Sequence, residues 1–183
     1  MLVTTVASLA LLATVHQPVG FHFQRIVSPS LETSSVQQDS LLGSRGFAPL
    51  LDQSRTADDH LDSARRAMKS GEFDIARREF RSAAALARAA GKLPLESVLG
   101  LAEALYAQSY NREAATTLEA LATEASLRGD NNVEALALAE ALWLNTEAGQ
   151  RTTVRKQRTR LRNLMKDAVL TPDVQRAVRA RLG

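Results

Sequence analysis

Leu99 to Gln108 reads LGLAEALYAQ, and 37 residues later Leu136 to Asn145 reads LALAEALWLN. Leu, Ala, Glu and a single large aromatic recur in the same order, a composition that favours helix over strand. Stepping back 38 residues from Ala102 reaches Ala64, within HLDSARRAMKSG, so the self-similarity extends to three copies. A repeat of this length marks stacked helical units, each of which buries its apolar face only against its neighbours.

The surrounding sequence supports that reading. Ala, Leu, Arg and Glu dominate, and aromatics make up 4% of the chain, too few for a β-sandwich core. Breakers fall at intervals of one helix: Gly71, Gly91, Pro94, Ser109-Tyr110-Asn111, Gly129 and Gly149. They predict helices over 58–69, 73–90, 95–108, 112–128, 132–146 and 150–168, which pair into three hairpins. A seventh is predicted over 172–181, with Thr171 as N-cap and Pro172 in the first turn, where its missing N–H costs nothing.

The first hairpin, ARRAMKSGEFDIARREFRSAAALA, carries small residues at Ala64, Ala76 and Ala83, Gly71 and Phe73 at the turn, and Phe80 between the last two alanines. In this it resembles a tetratricopeptide repeat. The second hairpin follows with Ala102, Ala114 and Leu118, with Ser109 and Asn111 at the turn and Leu121 in the last small place. The resemblance covers about residues 59–146 and implies an all-α, right-handed α-solenoid of about three hairpins plus a C-terminal helix. Steps of 38 and 37 exceed the family's period of about 34. Arg151 and Arg155 stand where a third hairpin would need small and large apolar residues, so the last repeat is expected to close the array with a basic helix.

In such repeats the first helices line a concave groove. Carried over position by position, the groove residues are Leu61, Arg65 and Met68, then Leu99, Glu103 and Tyr106, then Leu136, Glu140 and Trp143. The resemblance therefore implies a protein or peptide partner of unspecified identity, held as a helix or extended segment along an apolar stripe. A stripe at helical spacing is equally what a core looks like, with the seventh helix or the N-terminal segment filling the groove. The family's chaperone-carboxylate clamp is absent, because Leu61, Arg65, Gly100 and Glu103 occupy its places.

Charge is unevenly distributed. Residues 151–183 hold 10 Lys/Arg against 2 Asp/Glu, whereas 59–150 hold 10 against 14 and 1–58 hold 3 against 4. Within RTTVRKQRTRLRNLMKD, Arg151, Arg155, Lys156, Arg158, Arg160, Arg162 and Lys166 surround the apolar line Val154, Leu161, Leu164 and Met165. This cationic amphipathic helix offers a second reading, a binder of nucleic acid or an anionic membrane surface. The lack of aromatics there removes any stacking platform, which counts against single-stranded nucleic acid. A solenoid's terminal helix also needs a polar outer face for solubility alone. Elsewhere carboxylates fall at i,i+4 or similar spacings from basic residues, Asp74 with Arg78 for one, as on solvated helix faces.

Nothing in the sequence nominates catalytic chemistry, a metal site or a cofactor. Cysteine is absent, the three histidines (His16, His22 and His60) lack metal-ligand spacing, and the glycines form no phosphate loop. Residues 1–23, MLVTTVASLALLATVHQPVGFHF, form an apolar leader that reads as an export signal or membrane anchor, although no basic residue precedes it. Residues 24–57 read as a flexible Ser/Gln/Pro-containing linker and 58–183 as the repeat domain. An exported or membrane-anchored location is expected, with cytoplasmic as the alternative.

Overall fold

A computed structural model describes residues 55–183. The leader, nearly all of the linker, His16 and His22 lie outside the described residues. The fold is all-helical: α1 Ala57–Lys69, α2 Phe73–Ala89, α3 Leu95–Ala107, α4 Asn111–Leu127, α5 Asn131–Glu147, α6 Arg151–Asp167 and α7 Pro172–Leu182. Among the described residues no helix is long and apolar enough to cross a membrane.

Local chemistry accounts for the boundaries. At the start of α1, the Thr56 hydroxyl accepts from the Asp59 amide at 3.2 Å and the Asp59 carboxylate accepts from the Thr56 amide at 2.9 Å, a reciprocal capping box. The first five helices all end in one geometry. At α1, Gly71 N–H donates to Met68 O and Glu72 N–H to Ala67 O, the paired bonds of a Schellman turn around a left-handed residue. The same pair of bonds closes α2, α3, α4 and α5, with Gly91, Ser109, Gly129 and Gly149 as the left-handed residue. Among the described residues Ser109 alone adopts this conformation with a side chain, at φ 65°. α6 ends differently, in extended backbone at Ala168. Thr171 departs from expectation: its hydroxyl caps no backbone amide of α7, and its own N–H donates to Asn132 Oδ1 at 2.9 Å.

From α1 to α6 each helix packs on the one after it, most extensively α4 on α5, while α1 touches α3, α3 touches α5 and α5 touches α7. The alanines expected at helix crossings are there: Ala64, Ala76, Ala83, Ala102, Ala114 and Ala139 are each no more than 1% exposed. Small residues at such places allow helices to pack closely, and Phe80, Leu118 and Leu121 are buried with them. Gly100 extends the pattern, because a Cβ there would lie inside van der Waals contact of the Phe80 ring.

α5 is the most enclosed helix. Its buried residues fall on every side and include Glu134, Glu140 and Asn145. α7 does not continue the sequential pattern, for it packs far more on α5 than on α6. Thr171 meets Asn132 near the start of α5 and Arg181 meets Glu140 further along, so α7 runs in the direction of α5. Val174 and Val178 supply its buried face.

Ion pairing differs from the local pattern read from the sequence. Asp74 pairs with Arg77 at 3.5 Å rather than with Arg78, and most pairs join separate helices. Arg81 reaches Glu113 and Arg88 reaches Glu124, each at 2.9 Å, tying α2 to α4. Arg160 reaches buried Glu134 at 2.7 Å, tying α6 to α5. Arg65 pairs with Glu96, tying α1 to α3.

Two substitutions test this packing. Gly100→Ala is expected to lower stability by about 1–2 kcal/mol in denaturant melts, because overpacking outweighs the ~1 kcal/mol gained in helix propensity. Combining it with Phe80→Leu should recover part of that loss. Ser109→Gly should raise stability by about 0.5–1 kcal/mol by relieving a left-handed side-chain conformation.

Candidate functional site

The two copies of the decapeptide occupy equivalent places on α3 and α5 but do not share an environment. Their large aromatics meet, with the Tyr106 and Trp143 rings 4.9 Å apart and inclined at 54°. Their terminal amides bind flanking helices. Gln108 accepts from Arg77 and donates to Asp74, both at 3.0 Å on α2. Asn145 donates to Glu119 of α4 at 2.8 Å, and Gln157 of α6 donates to the same carboxylate at 2.7 Å. Three helices are thereby joined through one polar cluster.

The two glutamates differ most. Glu140 is buried, and Arg181 of α7 grips both its oxygens, at 3.2 and 2.9 Å. The same guanidinium lies 5.2 Å from the centre of the Trp143 ring. Burial pushes the Glu140 carboxyl above its ordinary pKa, and Arg181 opposes that rise. Glu103, one repeat earlier, is half-buried and has no ion pair or hydrogen bond among the described residues. Burial alone raises its pKa.

The nine sequence-predicted groove residues thus divide into three groups. Leu61, Met68, Leu99, Tyr106, Leu136 and Trp143 are half-buried along α1, α3 and α5. Arg65 is exposed and already paired with Asp62 and Glu96, while Glu140 is sequestered under α7. Of the nine, Glu103 alone brings a charge that no described residue compensates. Sequence reasoning missed Arg181, because a bond spanning 41 residues leaves no local signal.

The residues of the basic alternative divide as well. Arg160 is taken up by Glu134, whereas Arg151, Arg155, Lys156, Arg158, Arg162 and Lys166 are exposed. Gln157 and Leu161, not Arg151 and Arg155, make the buried contacts of α6. His60 binds Glu79 at 2.8 Å beside Arg55, a link between α1 and α2. Among the described residues no His, Cys, Asp and Glu cluster is arranged to hold a metal ion. No protein-family model, curated protein or solved structure matches this chain.

The raised pKa of Glu103 has a definite sign. The folded chain holds the proton more tightly than the unfolded chain, so stability falls as pH rises from the ordinary value of 4.5 through the folded pKa. Glu103→Gln is therefore expected to raise the melting temperature at neutral pH and to leave it unchanged below pH 4.5. Thermal melts across that range check the sign.

Proposed function

We propose that this chain is a non-enzymatic protein-interaction module, a right-handed α-solenoid of three tetratricopeptide-like hairpins closed by α7. In this reading the groove face of α1 and α3, bounded at α5 by α7 through Arg181 on Glu140 and Trp143, receives a peptide or helix of a partner protein, and the apolar leader holds the module at a membrane or directs its export. The observation that carries the reading is the composition of that face. A leucine recurs on each helix at Leu61, Leu99 and Leu136, accompanied by Met68, Tyr106 and Trp143, and all six are half-buried.

Such a row suits an apolar ligand side, because aromatic and Met side chains contribute large or adaptable contact area. Glu103 adds chemical selectivity. A cationic side chain of the partner placed beside it would supply the countercharge that no described residue supplies, whereas an acidic one would be repelled.

Site-specific photo-crosslinking from position 106 in the native host tests the reading, with Leu136→Glu as control. The expected result is a crosslink to another protein that disappears in the control. Crosslinks solely within the chain would identify the face as core and end the groove reading.

A further inference from the structure

α6 carries a feature that the groove reading does not use. Arg151, Arg155, Arg158, Arg162 and Lys166 follow one another at steps of four, three, four and four residues. At about 100° per residue this spacing keeps them within roughly 80° of arc, in a stripe about 22 Å long. All five are exposed, as is Lys156 beside them, and none forms an ion pair among the described residues. This is unlike α2, where three of the four arginines, Arg77, Arg81 and Arg88, each reach a carboxylate. The exposed side of α6 contains no apolar residue, since Leu161 is fully buried and Val154, Leu164 and Met165 are half-buried.

The two most exposed large apolar side chains among the described residues, Leu127 at 85% and Val169 at 95%, both lie at helix C-terminal ends, and Val169 directly follows α6. Leu127 ends α4 and Val169 lies in the connection from α6 to α7. The Thr171–Asn132 hydrogen bond holds that connection against the start of α5, just beyond the turn that follows Leu127. Both apolar side chains therefore belong to one end of the helices, the end that also bears Lys166.

We propose that the α6 stripe, together with Leu127 and Val169, is a docking surface for a lipid bilayer bearing anionic headgroups. Cations near such a surface gain from its negative potential, each by about fivefold in partitioning. The helix docks flat through charge, because its own apolar side is occupied within the fold and cannot insert. Leu127 and Val169 enter the headgroup boundary at one end. A nucleic acid duplex would satisfy the same cations through its phosphates, but it offers nothing to two protruding apolar side chains.

Co-sedimentation of the full chain with phosphatidylcholine vesicles, with and without phosphatidylglycerol, tests the proposal. The apolar leader is itself expected to partition into lipid, so the readout is the difference between the chain and a variant on the same vesicles. Neutralising three exposed cations in Arg155→Gln/Arg158→Gln/Arg162→Gln should weaken partitioning onto phosphatidylglycerol vesicles by about a hundredfold at low salt. Binding to phosphatidylcholine alone should not change, and added salt should narrow the gap. Circular dichroism melts confirm that the variant folds. Leu127→Ser/Val169→Ser should weaken partitioning with its salt dependence retained. The proposal is overturned if phosphatidylglycerol produces no gain, if the gain survives the three substitutions, or if a DNA duplex displaces the chain from vesicles at equal phosphate concentration.

Discussion

Close approach of helix backbones at alanine sets the geometry to which the other contacts conform. Ala64, Ala102 and Ala139 on the first helices of the hairpins, with Ala76, Ala83 and Ala114 on the second, are all buried where larger side chains would hold the helices apart. Once the backbones are that near, the remaining choices narrow. Phe80, Leu118 and Leu121 are buried with these alanines, and Gly100 gives way to the Phe80 ring at the cost of helix propensity. The repeated decapeptide follows from the same requirement, since each copy places an alanine at a crossing and a leucine and an aromatic on the face beside it.

Charge acts on top of that steric frame and mainly between helices. Isolated surface pairs contribute little, but pairs that join separate elements also specify which elements meet. Glu134 and Glu140 are the clearest cases, because each is buried on α5 and each is met by one arginine, Arg160 from α6 and Arg181 from α7. Removal of either arginine would strand a buried carboxylate, the costly outcome for an ion pair in a low-dielectric setting. The cations left over are therefore informative: α6 carries the largest group on any one helix that is exposed and in no ion pair among the described residues, Arg151, Arg155, Lys156, Arg158, Arg162 and Lys166.

All seven helices are legible in the amino-acid sequence, because apolar periodicity and the placement of glycine are local properties. Gly71, Gly91, Gly129 and Gly149 mark helix ends through backbone conformation alone, and Ser109 takes the same place by standing within the Ser109-Tyr110-Asn111 break and in register with Gly71. The alanine crossings are legible for the same reason, since the repeat puts them in register. Less can be read of the charges. Spacing suggests Asp74 with Arg78 on one helix, whereas Arg77 takes that carboxylate and Arg81 and Arg88 reach across to α4.

The all-helical class, the lengths and ends of the helices and the small residues at their crossings are written in the order of the amino acids, because each follows from steric and hydrogen-bonding rules acting within a few residues. The fates of the two nearly identical decapeptides are not; they arise from the packing of distant segments. α7 folds along α5 and not along α3, so Glu140 acquires Arg181 while Glu103 remains without a countercharge among the described residues. The same letters become a buried ion pair in one copy and a half-buried carboxylate in the other. That difference depends on which distant segment comes to lie alongside, a long-range outcome that local rules do not specify.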